Sequence, residues 1–81
     1  MKAMAHPAYI PFRVLHRVCV ERNLGVRLQI FDGGETVEIT NADGRVLTRK
    51  TREYGHTENA SSAAMQWLIE NDYIMPGDVE G

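Results

Sequence analysis

Two glycine-containing turns divide the middle of the chain into three short segments in which apolar and polar residues alternate. The segments cover residues 26–31, 35–40 and 45–52, and the turns are the DGG sequence at 32–34 and the NADG sequence at 41–44. An apolar period of two predicts strands with one buried face, and glycine adopts the positive φ of hairpin turns without strain. We therefore expect a three-stranded antiparallel sheet.

The NADG turn also predicts a register for the second hairpin. Its asparagine and glycine suit the first and last positions of a type I turn, so we expect Thr40 to pair with Arg45 and Ile39 to face Val46. The inward face of the sheet should then carry Val26, Leu28, Ile30, Val37, Ile39, Val46 and Thr48. The opposite face, which would be open to water, should carry Arg27, Gln29, Phe31, Thr36, Glu38, Leu47 and Arg49.

Helical patterns flank the three strands. Pro11 suits the first helical position, where its missing N–H would be unpaired anyway, and Gly25 suits the end of this helix. In the second helix we expect Thr57 as the N-cap and residues 71–72 as the C-terminal cap. The apolar stripes of the two helices are Phe12, Leu15, Val18 and Cys19, and Ala60, Ala63, Ala64, Trp67 and Leu68.

The sequence therefore predicts an α+β fold with the order α-β-β-β-α. A three-stranded antiparallel sheet that carries both helices on one face lets all the apolar stripes share one core. We expect a single domain over residues 11–75, a flexible N-terminal segment over 1–10 and a frayed tail over 76–81.

The length and the cysteine count limit the class of protein. A chain of 81 residues buries only about 60% of its unfolded surface, which leaves little structure to enclose a deep pocket. Cys19 is the only cysteine, so no intrachain disulfide can form, which is typical of a reducing compartment. The sequence has neither a run of about 20 apolar residues nor the apolar core of a signal peptide. We therefore expect a cytoplasmic protein without membrane contact.

The net charge of −2 hides a division of the chain into a basic and an acidic part. Residues 1–52 hold all nine lysines and arginines and five acids, a net charge of +4, whereas residues 53–81 hold six acids and neither lysine nor arginine, a net charge of −6. Such asymmetry is typical of surfaces that bind nucleic acid or mimic it. Alternatively, the two parts neutralise each other across the fold.

The residues that most often perform catalysis or bind metals are few and widely spaced. The three histidines, at positions 6, 16 and 56, lack the short spacings of zinc ligands. Tyr54, His56 and Glu58 are close enough in sequence for general acid–base chemistry, but polar residues just before a helix commonly cap it. We therefore expect no enzyme activity, no metal and no cofactor.

Nucleic-acid binding is one of two functions that the sequence supports. Five basic residues on or beside the third strand could follow a phosphate backbone while Phe31 stacks on a base. They are Arg27, Arg45, Arg49, Lys50 and Arg52. The order α-β-β-β-α is similar to that of double-stranded-RNA-binding domains, which implies RNA as the ligand. The resemblance covers element order and length only, because TENASS at 57–62 replaces that family's Lys-rich helix start and DGG at 32–34 replaces its Gly-Pro-His type loop.

Protein binding is the other function, and the sequence favours it because a net charge of −2 is unusual for a nucleic-acid binder. The size, element order and charge pattern resemble those of phage or mobile-element accessory proteins, among them anti-CRISPR inhibitors. This resemblance implies binding to a basic surface of a host complex that handles nucleic acid. The contact residues are expected on the open sheet face and the acidic second helix: Phe31, Leu47, Glu58, Glu70 and Asp72. A homodimer through the open face or an edge strand also fits the sequence.

Overall fold

Three antiparallel strands form a sheet in the order in which they occur in the chain. The computed structural model describes residues 9–79, in which the strands are β1 (Gly25–Phe31), β2 (Gly34–Thr40) and β3 (Val46–Glu53). The two hairpin turns have glycines at φ values of 92° and 89°, a conformation that glycine adopts without the strain it causes in other residues. β2 is therefore the central strand, and β1 and β3 are the edges.

Both helices pack on the same face of the sheet. Helix α1 (Phe12–Glu21) precedes the sheet, helix α2 (Ala60–Glu70) follows it, and a short 3₁₀ helix covers Pro76–Val79. Helix α1 contacts β1, α2 contacts β2 and β3, and the two helices contact each other. The predicted α+β fold with the order α-β-β-β-α is thus confirmed.

A single core lies between the helices and the sheet. Val37 and Ile39 on the central strand are fully buried. Helix α2 approaches them closely because its sheet side is built from small residues over 60–64, all of which are buried. Both helices, the central strand and the two flanking segments contribute to the core: Ile10, Leu15, Val18, Cys19, Val37, Ile39, Ala60, Ala64, Met65, Leu68 and Ile74.

Ile30 is the main exception to the predicted inward face of β1. Val26 and Leu28 pack against the core as expected, whereas the Ile30 side chain is 66% exposed. Ile30 pairs with Glu35, which in turn pairs with Arg52. Ile30 therefore belongs to a mostly polar row of the sheet, at the end of the apolar rows that the helices cover.

The register of the second hairpin differs from the predicted one. Thr40 pairs with Val46 and Ile39 pairs with Thr48, with an irregularity between the two pairs. A β-bulge of this kind places two residues of one strand opposite one residue of the other. The prediction that Thr40 pairs with Arg45 is therefore wrong, because the turn sequence does not encode the bulge that follows it.

The bulge also changes which residues of β3 face the core. Leu47 has no partner of its own in the register. Leu47 was expected on the open face, but it is half-buried and packs against the core. Val46 was expected inward, but its side chain is 47% exposed.

Residues in the left-handed conformation end both helices. Asn23 has a φ of 59° after α1, where Gly25 was expected to stop the helix. The backbone amide of Leu24 then donates to the carbonyl of Cys19 at 2.8 Å. Helix α2 ends as predicted, with Asn71 as the C-cap and Asp72 at a φ of 66°. Asparagine and aspartate take this conformation more readily than other side-chain-bearing residues.

The segments outside the predicted domain are partly packed against it. Ile10 is buried in the core, whereas residues 1–8 of the segment expected to be flexible lie outside the described residues. Residues 76–79, expected to be part of a frayed tail, form the 3₁₀ helix, and the Asp78 carboxylate accepts from Arg22 at 2.5 Å. No helix within residues 9–79 is long and apolar enough to cross a membrane.

Candidate binding cleft

A cleft of about 280 Å³ opens where the end of β3 and the loop before α2 meet the segment before α1. Two of the three tyrosines lie on its walls, and we call it the tyrosine cleft. Tyr9 is 69% exposed and Tyr54 is 60% exposed. The cleft is lined by Tyr9, Glu35, Arg52, Glu53, Tyr54, Gly55, His56, Thr57, Glu58 and Asn59.

The end of the β2–β3 ladder determines the position of Tyr54. The Tyr54 amide donates to the carbonyl of Gly33 at 2.9 Å, which is the last bond of the ladder. The chain then turns, with Gly55 at a φ of 91° and the His56 amide donating to the carbonyl of Glu53 at 3.1 Å. A hydrogen-bonded backbone therefore holds the Tyr54 ring at the rim, although its side chain is exposed.

Asn59 connects the other wall of the cleft to α2. Its side-chain carbonyl accepts from the amide of Ser62 at 3.2 Å, so Asn59 is the N-cap of α2 and the prediction of Thr57 in this role is wrong. Its amide group donates to the carbonyl of Ile10 at 2.9 Å, and the Ile10 amide donates to Ser62 Oγ at 2.7 Å. These bonds fix the backbone next to Tyr9.

Charged side chains form the polar part of the cleft. Glu35 accepts a hydrogen bond from the amide of Ala60 at 3.1 Å, in the first turn of α2, where a negative charge is favourable. The Arg52 guanidinium lies 3.2 Å from the Glu58 carboxylate and donates to the carbonyl of Thr51 at 2.8 Å. The side chains of Arg52 and Glu58 are only 26% and 24% exposed, so this pair is partly shielded from water.

The charge balance of the tyrosine cleft is negative. Three carboxylates, those of Glu35, Glu53 and Glu58, line it together with one guanidinium, that of Arg52. The Nε atom of Arg52 is buried and has no hydrogen-bond partner among the described residues. Because carboxylates outnumber guanidinium groups three to one, a ligand with positive charge would meet an excess of negative charge in this cleft.

The five basic residues of the predicted nucleic-acid surface do not form one patch. Arg27 and Arg49 lie on the open face, and Lys50 and Arg52 lie on the face that carries the helices. Arg45 lies in the turn between β2 and β3 and is exposed. The alternation of side chains along β3 divides the set between the two faces, so no single groove contacts all five residues.

Glu38 further reduces the basic character of the open face. Its carboxylate accepts from Arg49 at 2.6 Å and from Arg27 at 3.4 Å. The hydrogen bond from Arg49 lowers the pKa of Glu38 below its ordinary value, and the charges of both arginines act in the same direction. The polar groove of about 460 Å³ at this place is lined by Arg27, Gln29, Thr36, Glu38 and Arg49.

The five residues of the predicted protein surface are also dispersed. Glu58 lines the tyrosine cleft, whereas Glu70 and Asp72 lie at the opposite end of α2, about 16 Å away at the rise of an eleven-residue helix. Phe31 is 41% exposed, and its ring lies against Gly34. Leu47 packs against the core. Of this set, only Glu58 belongs to the cleft.

Two of the ion pairs join the basic and acidic parts of the chain. Arg22 pairs with Asp78 at 2.5 Å and Arg52 pairs with Glu58 at 3.2 Å. These contacts favour the interpretation that the two parts neutralise each other across the fold. The pairs of Arg17 with Glu21 and of Glu38 with Arg27 and Arg49 lie within the basic part.

Tyr54, His56 and Glu58, the residues considered for acid–base chemistry, lie in the loop between β3 and α2. The amide of Glu58 donates to His56 Nδ1 at 3.4 Å. Within the described part of the chain, no three histidine, cysteine, aspartate or glutamate side chains are grouped so that they could hold a metal ion. The buried Cys19 thiol lies in the core, where burial raises its pKa to about 11.

Comparisons with known proteins add no relative to this description: no family model, no curated protein and no solved structure matches the chain.

Proposed function

We propose that this chain is a non-enzymatic binding protein that takes up a basic segment of another protein in the tyrosine cleft. The observation that carries the proposal is the placement of two exposed tyrosines around an excess of carboxylates. Tyr9 and Tyr54 provide the apolar walls, and Glu35, Glu53 and Glu58 provide the negative charge.

A lysine or arginine side chain suits this arrangement for two physical reasons. The face of a tyrosine ring attracts a cation, and a neighbouring carboxylate accepts its N–H donors in charge-assisted hydrogen bonds. Tyrosine also contributes a large contact area while it loses little side-chain entropy, which is why it is common among the residues that dominate binding energy. Long-range attraction by the carboxylates would speed the encounter with a basic partner.

The size of the cleft supports a peptide segment over a small-molecule substrate. Its volume of about 280 Å³ lies just below the range of about 300–1,000 Å³ for pockets that enclose small ligands. An open cleft of this size accommodates one or two side chains of a larger partner. Because the cleft is too small and open to enclose a small-molecule substrate, we propose binding without catalysis.

The proposed partner is a protein with a basic surface, such as a protein that itself handles nucleic acid. In this setting the chain would be an accessory or inhibitor protein of the kind that phages and mobile elements carry, working in a reducing cytoplasm. Direct nucleic-acid binding has less support, because the five basic residues are divided between the two faces of the sheet and a turn. Three of them, Arg27, Arg49 and Arg52, also contact carboxylates.

Selection from a library of displayed twelve-residue peptides tests the proposal without knowledge of the partner. We expect the enriched peptides to contain lysine or arginine beside an apolar or aromatic residue, and to lose affinity between about 50 and 200 mM salt, because charge attraction is screened. Replacing Tyr54 by alanine should weaken the binding of a selected peptide at least about tenfold, a change typical of an important contact residue.

Met75 provides the matched control. It is 70% exposed and lies outside the tyrosine cleft, so Met75→Ala removes a comparable exposed side chain from another surface. The proposal is wrong if the selected peptides show no basic bias, or if Tyr54→Ala and Met75→Ala affect their binding equally.

A further inference from the structure

The hydrogen-bond pattern of the sheet shows which backbone groups of β1 point away from it. The bond from Tyr54 N–H to the Gly33 carbonyl flanks the Gly34–Glu53 pair. That pair is therefore of the non-hydrogen-bonded kind, and the polar groups of Gly34 point to β1. Because the direction alternates along a strand, the N–H and C=O groups at the outer edge of β1 are those of Val26, Leu28 and Ile30.

These outer groups have no partner from elsewhere in the described chain. None of the hydrogen bonds from loops, caps or side chains of residues 9–79 reaches the backbone of Val26, Leu28 or Ile30. Unpaired N–H and C=O groups along an edge strand are a template for another strand. Within residues 9–79, the outer backbone groups of β1 are thus unpaired along the whole strand.

The two edges of the sheet differ in how they are protected. Proteins usually shield an edge with charged side chains and with bulges. β3 has both, since the VLTRKTRE sequence of residues 46–53 contains four charged residues and a bulge lies at its start. β1, with the sequence GVRLQIF, contains one charged residue, Arg27, and its register with β2 is regular. β1 is therefore the edge on which a further strand can pair.

We propose that two copies of this chain pair through β1 as antiparallel neighbours and form one six-stranded sheet, with Leu28 of each copy at the two-fold axis. In this register the residues whose backbone groups point to the outer edge pair with each other. Val26 pairs with the partner's Ile30, Leu28 with the partner's Leu28 and Ile30 with the partner's Val26. These three pairs form about six hydrogen bonds between the strands. The edge lies across the sheet from β3, so the proposal does not depend on the function of the tyrosine cleft.

The sequence of β1 is complementary to itself in this register. On the face that carries the helices, the exposed Ile30 would cover Val26 of the partner and extend the apolar rows. On the open face, Arg27 would lie opposite the partner's Gln29, so that no two like charges face each other directly, a contact that would be destabilising. Phe31 would lie opposite the partner's Gly25, which has no side chain to obstruct the ring.

Sedimentation equilibrium of the full chain tests the association. We expect a monomer–dimer equilibrium with a dissociation constant in the micromolar range, about 1 to 100 µM, as is typical of small interfaces. Replacing Ile30 by lysine places a charge beside the partner's Val26 twice in each dimer, and should weaken association at least about tenfold. Val46→Lys, a similar change at an exposed valine on β3, should leave it unchanged.

Amide hydrogen exchange of the unmodified protein tests the register without any substitution. The amides of Val26, Leu28 and Ile30 should become protected when the concentration is raised through the dissociation constant, whereas those of Arg27 and Gln29 are already bonded to β2. The proposal is overturned if the chain stays monomeric at millimolar concentration, or if the new protection appears on the outer groups of β3. A dimer that Val46→Lys disrupts and Ile30→Lys does not would also overturn it.

Discussion

Replacing Asn59 by alanine should destabilise the protein, because its side chain joins the start of α2 to the segment before α1. The side chain caps the helix at the Ser62 amide, and its loss costs about 1 kcal/mol. It also donates to the Ile10 carbonyl in a partly buried setting, where a lost hydrogen bond costs about 1 kcal/mol more. We therefore expect the free energy of unfolding to fall by about 2 kcal/mol, the sum of the two contributions.

Urea unfolding monitored by circular dichroism measures this difference. The midpoint should fall while the slope stays the same, because the surface exposed on unfolding does not change. In a thermal scan the loss corresponds to about 10 °C for a domain of this size. The matched control is Thr57→Ala, which removes the cap expected from the sequence and should cost less than about 0.5 kcal/mol, because Thr57 is exposed. A cost of Thr57→Ala equal to that of Asn59→Ala would refute the assignment of the cap.

Three further predictions concern the core and two titrating groups. Ile39→Ala should lower the free energy of unfolding by about 2–5 kcal/mol in urea unfolding, because it leaves a cavity in the buried centre of the sheet. Cys19, with its pKa raised to about 11, should react with a thiol reagent at neutral pH only as fast as the protein unfolds, and fast modification of the native protein would contradict this expectation. The free energy of unfolding should also fall as the pH rises from the ordinary pKa of a thiol towards 11. Glu38, with its pKa lowered by Arg49, should stabilise the fold above its ordinary pKa and lose that contribution as the pH falls, and Glu38→Gln should flatten this part of the pH–stability curve.

The architecture was accessible from the sequence because it depends on local signals. Alternating apolar residues and glycine turns define the three strands, and helical spacing defines both helices. The register of the second hairpin was not accessible, since the bulge beside Thr40 depends on how Leu47 packs against the core. The cap of α2 was missed for a similar reason: Thr57 and Asn59 are both good N-caps, and contacts with Ile10, 49 residues away, select Asn59.

The tyrosine cleft was only partly visible in the sequence. Glu58 and Arg52 were singled out, but for two different functions, because their pairing across the loop was not known. Tyr9 and Glu35 were missed, since each reaches the cleft from a distant part of the chain. The signal that could have suggested the site is the pair of tyrosines at 9 and 54, which a search for aromatic residues outside the apolar stripes would have found.

Amide chemical-shift mapping tests most directly whether the tyrosine cleft binds a basic segment of another protein. The ¹⁵N-labelled protein would be titrated with a basic peptide enriched in the display selection. We expect the largest shifts at Tyr9, Arg52, Tyr54 and the loop before α2, with saturation at a single affinity. Shifts concentrated instead around Arg27 and Arg49 on the open face, or none at saturating peptide, would contradict the claim.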